Sequence, residues 1–100
     1  MSFAGLPGEE FAQPGLDDWA KGLETVAALL MQIASRRLQR TGFTLPPMPA
    51  SELDTEIRLY RLLQQSHGNA AYGQYNALLR RLVSFERALS QRYTSRHQVL

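Results

Sequence analysis

The chain has 100 residues, a net charge of +2, 44% hydrophobic residues and no cysteine. That length makes one domain and leaves little room for a deep substrate pocket. The missing cysteine excludes disulfides, thiolate metal ligands and a cysteine nucleophile. The N-terminal "MSFAGLPGEEF" has neither the basic nor the apolar region of a secretory signal. The longest apolar run, "VAALLM" at 26–31, falls far short of the roughly 20 residues that span a bilayer. A soluble, cytoplasmic protein is expected.

The charge is distributed unevenly. Residues 1–35 hold five acids against one lysine, residues 36–56 balance, and residues 57–100 hold seven arginines against Glu86 alone. Asymmetry of this kind is found in nucleic-acid binders. It also follows from complementing helix dipoles, with acids in first turns and arginines in last turns.

Residues 1–15 read as a flexible apolar arm, because Gly5, Pro7, Gly8, Pro14 and Gly15 oppose a continuous helix. Phe3, Leu6 and Phe11 on this arm either pack onto the body or wait for a partner. A single helical domain over 16–100 follows, with helices expected at about 18–41, 52–66 and 70–95. The first is capped by Asp17 or Asp18, and Trp19, Leu23, Val26, Leu30 and Ile33 repeat at 4-3-4-3 spacing on one face. Arg36, Arg37 and Arg40 suit its negative end. Gly42 fits a left-handed C′ position, with Phe43 at C″ able to touch Leu38.

"TLPPMP" at 44–49 is a stiff linker that can return the chain along the first helix. The second helix is expected to start at Ser51 in a "SELD" capping-box variant, supported by an Asp54–Arg58 pair at i,i+4. Its face is Leu53, Ile57, Tyr60 and Leu63, and Leu59 with Leu62 spreads the apolar surface wider. The third helix carries the clearest stripe, Ala71, Tyr75, Leu78, Leu82, Phe85 and Leu89, a heptad seam. Leu79 and Val83 lie beside it. Arg80, Ser84, Arg87 and Gln91 lie opposite, and "TSRHQVL" reads as a frayed end.

Between the second and third helices, Gly68 suits a helix stop and Asn69 an N-cap, giving an αα-hairpin rather than one helix over 52–95. A DNA-reading helix-turn-helix fits poorly, because Gln64 and Gln74 stand where a small and a buried apolar residue belong. His67 lacks an orienting carboxylate or a nucleophile, and His67 and His97 lie 30 residues apart without ligand spacing. No catalytic, cofactor-binding or metal-binding constellation is predicted, and the chain is not expected to be an enzyme. Gly73, placed where alanine would be more stable, predicts a close backbone approach.

The expected architecture is therefore all-α: two long helices and one short, completed by dimerisation into a bundle. The expected function is a small regulatory or adaptor protein acting by protein–protein contact. It would block a partner such as a transcription regulator, in the manner of an anti-activator, or escort a helical client. The predicted contact residues are Phe3, Leu6, Phe11, Leu59, Leu62, Tyr72, Leu79 and Val83, with Arg80 and Arg87 on the rim. The alternative is a nucleic-acid binder that uses the arginine-rich C-terminal half.

Overall fold

The computed structural model describes residues 3–51 and 53–97, with side chains described as far as Arg92. The fold is all-α. Five helical segments follow one another: α1 (Glu9–Ala20), α2 (Val26–Ile33), α3 (Ser35–Arg40), α4 (Thr55–His67) and α5 (Ala71–His97). A single 3₁₀ turn, Gly68–Ala70, joins the last two. The body measures 51 × 27 × 20 Å. Among the described residues no helix is long and apolar enough to cross a membrane.

The apolar run becomes the hub. In α2, Ala28, Leu29, Leu30 and Met31 are all fully buried, and the helix packs against α1, α4 and α5. A helix that is apolar all round must be covered on every side, and three neighbours cover this one.

The expected helix over 18–41 is replaced by α1, α2 and α3. Gly22, at φ 76°, ends α1 in a Schellman turn, in which the Gly22 amide donates to the Trp19 carbonyl and the Leu23 amide to that of Asp18. Thr25 then caps α2, its hydroxyl accepting from the Ala28 amide at 3.2 Å and donating to Asp18 at 2.8 Å. Asp18 therefore tethers the next helix's cap and does not begin a helix. Leu23 leaves the expected stripe and stands 51% exposed. At the far end the expected stop holds: Phe43 donates to the Leu38 carbonyl and Gly42 to that of Gln39.

Helix α1 also runs through Pro14 and Gly15, which the sequence reading places in an arm. Pro14 is exposed, so its ring and the carbonyl it leaves unbonded face away from the core. Gly15 is buried at the crossing with α2. A Cβ there would stand 2.4 Å from the Ala27 carbonyl oxygen and 2.6 Å from Met31 Cγ. This is the close backbone approach of the molecule. Gly73 has nothing within 4 Å of a built Cβ, so the approach expected there does not exist.

Helix α4 begins at Thr55 with Asp54 at the N-cap, and no side chain caps it. The Ser51 hydroxyl accepts from the Leu53 amide, forming a local turn ahead of the helix. Glu52 lies outside the described residues. Arg58 pairs with Glu24 rather than Asp54, tying α4 to the α1–α2 turn. The buried face is Leu59 and Leu63, while Leu53 and Ile57 are exposed. The hairpin break falls at Gly68–Ala70 as the glycine predicts. The seam of α5 is buried at Ala71, Leu82, Phe85 and Leu89 and half-buried at Tyr75 and Leu78. Residues 98–100 of the expected frayed end lie outside the described residues.

Candidate protein-binding face

The three apolar residues of the N-terminal segment pack inward. Phe3, Leu6 and Phe11 are each at most 7% exposed. The Phe3 ring stacks on Phe43 at 5.1 Å and meets Phe85 edge-on at 5.5 Å, and Phe11 meets Phe85 at 6.0 Å. Arg92 on α5 donates to the Ala4 carbonyl at 3.0 Å. The segment thus closes the seam of α5 that three helices of unequal length would leave open. As a result Phe3, Leu6 and Phe11 are core residues and do not offer themselves to a partner. Leu59 is likewise fully buried, on the face of α4 that packs into the core. Leu62 is half-buried and packed against the core.

The remaining predicted residues lie on the outer side of α5. Leu79 is half-buried, Val83 is 42% exposed, and Arg80 and Arg87 are exposed. Together with Ser84 these four line one open groove of about 390 Å³. Among the described residues every lining residue comes from α5. The geometry follows from helical spacing. Leu79, Val83 and Arg87 form one i±4 row and Arg80 with Ser84 the next, and the groove is the valley between the rows. Ser84 keeps the valley shallow-walled at its centre: its hydroxyl donates back to the Arg80 carbonyl at 3.2 Å and does not project outward. Tyr72, 66% exposed, sits two turns toward the start of α5 and lines neither this groove nor the two clefts described next.

Two clefts lie outside the sequence reading. One, of about 270 Å³, is walled by Trp19, Leu23, Pro49 and the Glu24–Arg58 pair, with Gln32 on its lining. The Trp19 indole there donates to the Pro47 carbonyl at 3.1 Å, which pins the proline linker over the α1–α2 turn. The Gln32 carboxamide oxygen is buried with no hydrogen-bond partner among the described residues. The other cleft, of about 210 Å³, lies between Ile57, Tyr60 and Tyr75, with Glu56 at its edge. The two tyrosine rings meet edge to face at 5.6 Å. Gly22 beside Thr25 was the sequence signal for the first cleft. The second depends on how α4 meets α5, which local spacing does not fix.

The arginines of the C-terminal half divide into two groups. Arg81 pairs with Glu10 and lies 5.9 Å over the Phe11 ring, Arg58 pairs with Glu24, and Arg92 bonds the Ala4 carbonyl. Arg61, Arg80 and Arg87 form no ion pair among the described residues. Arg37 of α3 donates to Ser90 at 3.1 Å and approaches Glu86. Burial holds the Glu86 carboxyl above the usual carboxylate range, and the Arg37 charge pulls it partly back. His67 is exposed in the last turn of α4, and among the described residues no three His, Cys, Asp or Glu side chains converge as a metal site would require. No family model, curated protein or solved structure matches this chain.

Proposed function

We propose that this chain is a small regulatory or adaptor protein that acts by protein–protein contact, with the outer face of α5 as its binding surface. The observation that supports the reading is the groove of Leu79, Arg80, Val83, Ser84 and Arg87, in which Val83 stands exposed beside half-buried Leu79 on a long helix. Exposed apolar ground rimmed by polar groups is characteristic of interaction sites. Such a face suits blocking a partner's helical interface, in the anti-activator manner, or escorting a helical client.

The nucleic-acid reading draws on the same half of the chain but has less to work with. Three of its arginines are engaged within the fold, and the face beside Arg80 and Arg87 carries the apolar Leu79 and Val83, which a phosphate backbone does not cover.

A photo-crosslinking residue placed at position 83, with a control at exposed position 65, tests the proposal in extract of the native cell. The expected result is a discrete protein adduct from position 83 and none from position 65. The same adducts from both positions, or none from either, would rule out this face.

A further inference from the structure

We infer that the α5 groove receives an acidic amphipathic helix from a different protein rather than a second copy of this chain. The inference rests on the reading of the outer α5 face as a binding surface, and it specifies the occupant from shape and charge.

Shape points to a helix. The groove is the valley between two adjacent i±4 rows of α5, and valleys of this kind accept the ridge of another helix. A ridge built from one or two apolar side chains would sit against Leu79 and Val83. Ser84, bonded back to its own helix, leaves room for it.

Charge selects the sign. Arg80 and Arg87 stand two turns apart on one flank of Leu79 and Val83, both exposed and neither ion-paired among the described residues. Arg81, one residue away, is taken up by Glu10 and Phe11. The two arginines therefore remain as the groove's own charge. A partner helix with Glu or Asp flanking its apolar ridge pairs with both. A second copy of α5 packed two-fold against the first would instead set arginine against arginine, because its exposed outer row carries the same residues. Complementary charge at a rim sets orientation and association rate, and like charge penalises the wrong partner.

The probes are two labelled 18-residue helical peptides with the same leucine ridge, one flanked by Glu and the other by Lys. Binding to the purified protein is read by fluorescence anisotropy at low and moderate salt. The acidic peptide is expected to bind about three- to ten-fold more tightly at low salt, the span of two exposed ion pairs, with the gap narrowing as salt rises. Arg80→Glu/Arg87→Glu should reverse the preference, and Ser84→Phe, which fills the valley, should weaken both peptides. Helical circular dichroism and melting temperature should be unchanged in these surface variants.

Equal binding of the two peptides overturns the acidic specificity. So does tighter binding of a duplex DNA of the same length, or sedimentation as a dimer that Val83→Asp converts to monomer. If neither peptide binds while position 83 still crosslinks to a protein, the acidic helix is wrong and the binding face stands. If position 83 captures nothing as well, both fail.

Discussion

Helices α2 and α5 use similar apolar residues and meet opposite fates. In α2, Leu29, Leu30 and Met31 are fully buried and Val26 and Ile33 half-buried, because α1, α4 and α5 pack around it. In α5, Leu82, Phe85 and Leu89 are buried while Val83, one residue from Leu82, stands 42% exposed. The difference is one of neighbours, not of chemistry. An apolar residue becomes core only when another element reaches it, and on α5 the N-terminal segment, α4, α2 and α3 reach one side. The uncovered side keeps Val83 exposed and places Arg80 and Arg87 beside it. Stability should therefore be concentrated at α2 and the inner seam, and the outer face should be free to serve a partner.

Substitution at each place tests this division. Phe85→Ala removes the ring on which Phe3 and Phe11 converge, and should cost about 3–5 kcal/mol in urea denaturation. A loss under about 1 kcal/mol would mean that the segment is not docked. Gly15→Val drives a side chain into the Ala27 carbonyl and should cost about 3 kcal/mol by forcing α1 off α2. Gly22→Ala imposes the left-handed penalty on a residue with open space around it, and should cost about 1 kcal/mol. On the outer face, Val83→Asp should leave stability within about 0.5 kcal/mol of the parent. A large loss there would show that the face is core to the fold.

Glu86 lies between the two faces and gives a pH test. Its carboxyl titrates higher in the folded chain than its ordinary 4.5, so folding favours the protonated form. That contribution is complete below the ordinary value and is lost as pH rises through the raised one. Glu86→Gln stays neutral throughout. It should be more stable than the parent at neutral pH, and its stability should not fall across that interval. Parallel pH profiles for the two proteins would contradict the assignment.

Much of the C-terminal half was legible because its signals are local and repeated. The 71–89 seam recurs at strict heptad spacing, and Gly68 and Gly42 with Phe43 mark stops whose geometry is carried by a few adjacent residues. The N-terminal half was misread where tertiary contact overrides local preference. Trp19, Leu23 and Val26 keep a helical spacing across a turn that breaks the helix. Only Gly22 and Thr25 betray that turn, as a C′ residue followed by a cap. Pro14 and Gly15 argue against a helix locally, yet Gly15 is what lets α1 lie against α2. On the candidate face, Leu79, Val83, Arg80 and Arg87 could be placed together because they lie on one continuous helix. Phe3, Leu6, Phe11 and Leu59 could not, since their burial is decided by residues far away in sequence.

The bond from Arg92 to the Ala4 carbonyl spans 88 residues, and the Phe3 ring waits on Phe85. During synthesis these aromatic residues emerge well before the helix that shelters them. The nascent chain therefore holds this aromatic segment unprotected until α5 has left the ribosome, and the body can close only after that point. A release assay with chains arrested before and after residue 92 would show protection of the N-terminal segment from protease only in the longer chain. For a protein this small, the order of manufacture sets a window in which a chaperone, or a premature partner, could take hold.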